Sequence, residues 1–402
     1  GNFYGKVEPS STLPWATPWR VVMVGGSLNT LVESTLINDL CPPSKVKDTS
    51  WIKPGRVAWS WWSDHDSPHD YGKQVKFVDL AAEMGWEYCL VDANWTLMNG
   101  GDVRKLAKYA SDKGVGLLLW YNSGGPNNFV TEKPRGCMFD RRVRQFEFEL
   151  LKKWGIKGVK IDFFQSDKQA TMRQYVDILQ DAIDSKILIN FHGCTVPRGW
   201  SRTYPHLLSM EAVKGAECYT FGPEYPQKAP WHNTVIAFTR NLVGPVDYTP
   251  CAFSHDKYPH LTTNAYELAL AVVFETGLIH FADSAETYRA LPEAPKQLLR
   301  DVPAAWDDIR LIGGEPGKFI VIARRKGDQW FVAGINGENS ARKIAFAPDF
   351  LENKPYRSIL IGDGATQDTF STYNGKAVKD KTIELEMKPY GGFVMRLMPD
   401  AR

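Results

Sequence analysis

The chain has 402 residues, 43% of them apolar. At roughly 100–200 residues per domain that is two domains, or one large barrel with an appendage. Lys and Arg number 48 against 46 Asp and Glu, a net charge of +2, which gives no bulk electrostatic reason to bind nucleic acid or an anionic membrane. No run approaches the roughly 18 apolar residues of a membrane span. The opening Gly1-Asn2-Phe3-Tyr4 lacks the charged and apolar regions of a signal peptide. The six cysteines are scattered without a CxxC pair, which argues against a zinc site and a dense disulfide framework. Aromatic residues make up 12% of the chain and include 14 Trp, a content suited to stacking on sugars and also to a large core.

Residues 1–50 read as an irregular lead-in. They are punctuated by Pro14, Pro18, Pro42 and Pro43, with one helix-like run near Thr30–Asp39. From residue 56 apolar runs alternate with amphipathic ones. Strands are expected at Val57–Trp62, Tyr88–Val91, Val115–Trp120, Gly158–Phe164, Ile187–Phe191 and Leu207–Met210, then near Leu242–Asp247 and at Leu278–Ala282. Helices are expected at Tyr71–Met84, Val103–Lys113, Arg141–Trp154, Ala170–Ile183 and Glu267–Phe274. Continuous apolar strands with amphipathic crossovers describe a buried parallel sheet. No GxGxxG follows the first strand, which weakens a dinucleotide-binding fold. Residues 51–305 therefore predict a (β/α)8 TIM barrel, close to the usual length of about 250 residues. After Trp306, short apolar runs separated by Gly, Asn, Asp and Pro predict a small antiparallel all-β domain, sandwich-like, over 306–402.

In such a barrel, chemistry sits at the C-terminal ends of the strands. Lys160 and Asp162 are two apart in strand 4 and share one face. A dry helix layer would make both costly, so the barrel mouth is the expected place, either as a working pair or as a self-satisfying rim pair. Glu211 and Glu217 follow strand 6. They are an ordinary solvated loop, or they supply one of the two carboxyl groups that glycoside hydrolysis needs. Trp59, Trp61, Trp62, Trp95 and Trp120 are candidate stacking faces or core; Trp59 and Trp61 share a side by alternation and Trp62 takes the other. Asp92 ends strand 2 and can accept bonds from vicinal hydroxyls, with Asp64 and Asp66 on the first loop as rivals; His192 ends strand 5.

The runs Ile52-Lys53-Pro54-Gly55-Arg56, Trp59–Trp62, Val91–Trp95, Lys160–Phe163, Arg202-Thr203-Tyr204-Pro205 and Glu211 to Glu217 resemble glycoside hydrolase family 97. The resemblance implies α-glycosidases with an N-terminal β-sandwich, a (β/α)8 barrel and a C-terminal β-domain. The sandwich is expected to be absent from this chain. Inverting members carry glutamates after strands 3 and 5, where Tyr121-Asn122-Ser123 and His192-Gly193 stand here. Retaining members carry an Asp nucleophile at the end of strand 4, where Asp162 stands. The resemblance thus implies a retaining α-galactosidase, with β-L-arabinopyranosides as further substrates. Glu217 is implied as acid/base, and Trp59, Asp64, Asp92, Trp95, Lys160 and His192 as sugar-binding residues. Calcium is implied at Glu211 with Glu217, held weakly without the sandwich. The implied partner is a small oligosaccharide, and the implied location is periplasmic or secreted. An inverting or retaining α-glucosidase, and a barrel that binds carbohydrate without catalysis, are the alternatives.

Overall fold

The computed structural model describes residues 2–400. Its packing forms two compact units. One is built from residues 2–24, 35–212 and 243–247, the other from residues 25–34, 213–242 and 248–400. The early helix-like run is two short helices, α1 (Leu28–Val32) and α2 (Leu36–Asp39).

The first unit repeats strand and helix: β1 (Gly55–Trp59), α3 (Tyr71–Met84), β2 (Tyr88–Val91), α4 (Val103–Asp112), β3 (Gly116–Asn122), α5 (Arg141–Lys153), β4 (Gly158–Asp162), α6 (Gln169–Ser185), β5 (Leu188–Phe191), α7 (Trp200–Thr203) and β6 (Leu207–Met210). Consecutive strands pair in parallel. Local signals set the helix ends. Asp70, Asp102 and Asp140 each accept a backbone N–H of the first turn of α3, α4 and α5. Gly85 stops α3 with φ +66°, a conformation that a side chain disfavours.

In the second unit α8 (Glu224–Ile236) and α9 (Asn264–Val273) precede β7 (Leu278–Ala282), α10 (Ala285–Ala290) and α11 (Glu293–Asp301). The parallel sheet takes the order β6-β5-β4-β3-β2-β1-β7. Seven strands are therefore present among the described residues, one fewer than expected. The segment near 242–247 is the difference. It holds a 3-10 turn at Arg240–Val243, Gly244 at φ +143°, and Pro245, which has no N–H to give a ladder. Asp247 bonds to the sheet through its N–H to the Met210 carbonyl at 2.9 Å.

The all-β region runs β8 (Asp308–Glu315), β9 (Phe319–Lys326), β10 (Gln329–Asn336), β11 (Arg342–Phe346), β12 (Tyr356–Asp363), β13 (Phe370–Ala377), β14 (Ile383–Met387) and β15 (Gly392–Pro399). Six strands pair in the order β13-β12-β15-β10-β9-β8, and β11 pairs with β14. Val321, Val332, Phe346, Met387 and Leu397 meet in one core. Two strands escape the apolar pattern. The residues of β13 are largely exposed, so its ladder with β12, rather than burial, holds it extended. β8 carries Gly313 and Gly314 and a register shift at Leu311/Gly313, which breaks its alternation.

Candidate active site

Strand register in the first unit brings inward side chains into layers. Trp120, Lys160 and Asn190 are neighbours across β3, β4 and β5, and Asn122 pairs with Asp162 one layer higher. Lys160 Nζ does not turn to Asp162. It donates to Asp92 Oδ2 at 3.0 Å. It also lies 4.8 Å from the Trp59 ring centre, at the distance of a cation–π contact. The Trp59 indole N–H donates to the same Asp92 oxygen at 2.7 Å, and the Ala93 N–H to Asp92 Oδ1 at 2.7 Å. Burial would raise the Asp92 carboxyl, but Lys160 and these donors hold it below the ordinary carboxylate range.

The Asp162 carboxylate accepts the Trp120 indole N–H at 3.1 Å and the Phe163 N–H at 2.6 Å. The second bond needs Phe163 at φ +65°, a strained backbone for a bulky residue that turns its N–H back towards the preceding side chain. Burial pushes the Asp162 carboxyl upward; Lys160 and His192 pull it back, Glu211 adds to the rise, and the net direction is up. Lys160 favours the ionised form, but desolvation outweighs it.

His192 is buried between two acids. Its Nε2 is 2.7 Å from Asp247 Oδ2 and its Nδ1 is 3.7 Å from Glu211 Oε1. Asn190 Nδ2 donates to the same Asp247 oxygen at 2.6 Å. Burial and Lys160 disfavour the imidazolium, yet Glu211 and Asp247 outweigh them and push His192 up to about 9. Glu211 accepts the Gly193 N–H at 2.8 Å. Gly193 itself sits at φ +48°, and a Cβ there would lie 2.7 Å from Phe163 N and 2.8 Å from Asp162 Oδ1. Only glycine fits beside this aspartate.

Glu217 belongs to the second unit, on a 3-10 turn over Ala216–Thr220. Backbone contacts fix the turn. The Ala216 N–H donates to the Tyr248 carbonyl at 2.9 Å, and the Glu217 N–H to Thr249 Oγ1 at 3.2 Å. Gly215 lets the segments meet, since a Cβ there would lie 2.3 Å from the Tyr248 oxygen. The Tyr219 hydroxyl reaches the buried Glu267 at 3.1 Å.

The sequence-predicted residues thus separate into groups. Asp92, Lys160 and Trp59 form one network; His192 and Glu211 face each other. Trp59 is fully buried, so its ring supports Asp92 and Lys160. Trp61 stacks on it at 5.7 Å and on His65 at 3.9 Å. Trp95 is buried and its N–H is spent on the Trp120 carbonyl at 2.8 Å. Asp64 pairs with Lys73 at 2.5 Å and caps its own loop through the Asp66 N–H. Asp247 and Asn190 were not singled out from the sequence. The signal was an acid at the end of the expected seventh strand, hidden by the strand reading itself.

Lys160 and Asp92 are both almost fully buried. Lys160→Met leaves the Asp92 charge without its partner, and the chain loses about 3–5 kcal/mol of stability at neutral pH. Chemical denaturation measures it. The double variant with Asp92→Leu recovers part of the loss, because no buried charge then remains. The pair's contribution requires ionised Asp92; it is present above the ordinary carboxylate pKa and is lost as pH falls through the depressed one.

Buried carboxylates, an imidazole and indole donors at the strand ends of a barrel-like parallel β/α sheet make this the candidate active site. Comparison with known proteins gives the family. Residues 51–213 match the profile of glycoside hydrolase 97, residues 305–398 its C-terminal domain (described as an oligomerisation domain), and residues 4–43 its N-terminal domain. The chain belongs to glycoside hydrolase family 97. Residues 4–43 of the irregular lead-in thus carry part of that domain's pattern. A probable retaining α-galactosidase of Streptomyces bingchenggensis is 37% identical over 87% of this chain and 53% of its own length. A retaining α-galactosidase of Bacteroides thetaiotaomicron is 30% identical over 98% of this chain and 61% of its own. The crystal structure of a β-arabinopyranosidase superposes with a TM-score of 0.90 at 34% identity, covering 96% of this chain and 62% of that one. The chain spans little more than half the length of the curated relatives it matches.

Proposed function

We propose that this chain carries the catalytic region of a retaining α-galactosidase that also accepts β-L-arabinopyranosides. One observation carries the reading. Asp162 ends β4, and beside it Gly193 at φ +48° leaves no room for a side chain, since a Cβ there would lie 2.7 Å from Phe163 N and 2.8 Å from Asp162 Oδ1. In this reading the carboxylate of β4 is the nucleophile, and the glycine supplies no base at the next strand end. The names of the similar proteins point the same way.

In this reading Asp162 attacks the anomeric carbon from the face opposite the leaving oxygen, while protonated Glu217 donates its proton to that oxygen. Water then attacks the glycosyl ester, Glu217 takes the water proton, and Asp162 leaves as carboxylate. The Trp120 and Phe163 donors aim the Asp162 carboxylate and stabilise it again when it departs. Asp92 already accepts three donors. It has room for one sugar hydroxyl more, and Lys160, held by Asp92, supplies the complementary donor. Galactose presents an axial 4-hydroxyl to this pair; arabinopyranose differs only by lacking the hydroxymethyl group.

His192, Glu211 and Glu217 are the candidate group for a metal ion. Two carboxylates supply the hard oxygen donors that calcium takes, and its six to eight ligands require more oxygens from water or other segments. Calcium, when bound, supplies positive charge beside the carboxylates. Export to the periplasm or medium is proposed on resemblance alone.

The test is a panel of nitrophenyl α-glycosides followed by NMR. The first-formed sugar from the α-galactoside is expected to be the α-anomer. A β-anomer as first product, or preference for the α-glucoside, overturns the reading.

A further inference from the structure

Phe163, directly after Asp162, holds φ +65°, a left-handed backbone that a bulky residue keeps only where its surroundings impose it. Both of its peptide planes are anchored by the segment that follows β3. On one side the Asp162 carbonyl accepts the Ser123 N–H at 2.9 Å. On the other the Phe163 carbonyl accepts Asn128 Nδ2 at 3.1 Å. The two torsions of Phe163 lie between these rigid planes, so holding both planes holds the turn.

Asn128 is itself built in. It is 3% exposed, and Asn122, at the end of β3, is 0% exposed. Asn128 Nδ2 spends its second hydrogen on Asn122 Oδ1 at 3.0 Å, so two acceptors set which way the amide points. The Gly124 N–H donates to the same Asn122 oxygen at 2.9 Å. Gly124 also makes the room, since a Cβ there would lie 2.4 Å from Asn128 Nδ2. Beyond the turn, the Phe164 carbonyl accepts Asn2 Nδ2 at 3.0 Å and the Gln165 N–H donates to the Gly193 carbonyl at 3.2 Å. Asn128 is the side chain that meets the carbonyl of the strained residue itself.

We propose that Asn128 is a positioning residue of the reaction: by holding the Phe163 carbonyl it keeps Phe163 in the left-handed turn that aims its N–H at Asp162. The inference rests on the galactosidase reading above, in which Asp162 is the nucleophile. Without Asn128 the strain is released, the turn relaxes to negative φ, and Asp162 loses the Phe163 donor while keeping the Trp120 one. Asn128 acts through the backbone, so the loss falls on turnover rather than on substrate binding.

Two measurements on the full chain test it. In the crystal structure of Asn128→Ala, Phe163 is expected at negative φ with its N–H off Asp162. Phe163 unmoved overturns the inference and leaves the galactosidase reading standing. With nitrophenyl α-galactoside, kcat of the variant is expected to fall about tenfold to a hundredfold while KM stays within about threefold. Glycine holds φ +65° without strain. In a Phe163→Gly background the same substitution is therefore expected to cost less than about threefold. An equal loss in both backgrounds, or a change in KM alone, makes Asn128 an ordinary loop residue and overturns the inference. Asn128→Ser, too short to reach the carbonyl, serves if Asn128→Ala does not fold. Wild-type protein inert towards the galactoside overturns the galactosidase reading, and this inference with it.

Discussion

Asp162→Ala is expected to abolish turnover of nitrophenyl α-galactoside, by on the order of 10⁴-fold, or about 5.4 kcal/mol of transition-state stabilisation. Removal of a nucleophile leaves a small hole on one face of the anomeric carbon. Azide fits that hole and restores part of the rate, and the product is the β-galactosyl azide, of inverted configuration. Wild-type turnover in the variant, or an α-azide, sinks the assignment. The pH profile gives an independent reading. Asp162 attacks only when ionised, and burial holds its carboxyl above the usual range. The acid limb of kcat/KM therefore falls as pH drops through that raised value, and lies higher than for an exposed aspartate. A profile flat down to the ordinary carboxylate range contradicts it.

Glu217→Ala separates substrates by their leaving groups. A sugar alcohol leaves only with a proton, so melibiose turnover is expected to fall by about 10³-fold, within the usual range for general acid catalysis. Galactosyl fluoride and dinitrophenyl galactoside leave as stable anions, and their first step loses less than about tenfold. Pre-steady-state release of dinitrophenol isolates that step from deglycosylation, which also needs Glu217 as base. Equal loss in the first step for all three removes Glu217 from the acid role.

Much of the first unit is legible in the chain. Its strands are short apolar runs at a regular spacing, its helices are amphipathic, and several begin at Asp caps, all of which are local properties. The period-2 rule alone places Lys160 and Asp162 on one face. Composition excludes a membrane-spanning helix, and among the described residues no helix is long and apolar enough to cross a membrane. What tertiary structure decided is where those side chains are spent. Lys160 turns to Asp92 rather than to its strand neighbour, because Asp92 and Trp59 are its partners across the barrel. Trp59 looks like a stacking face in the sequence and is a buried donor in the fold. Asp247 sits in a segment whose apolar residues suggest a strand; Gly244 and Pro245 deny it a ladder, and its carboxylate instead holds Asn190 and His192. The exposed strand β13 has no core face to read, since its ladder with β12 carries it. Periodicity and caps act over a few residues and can be read along the chain. Which charge neutralises which, and which glycine must stay bare beside a carboxylate, depends on contacts between strands tens of residues apart, and only folding brings those together.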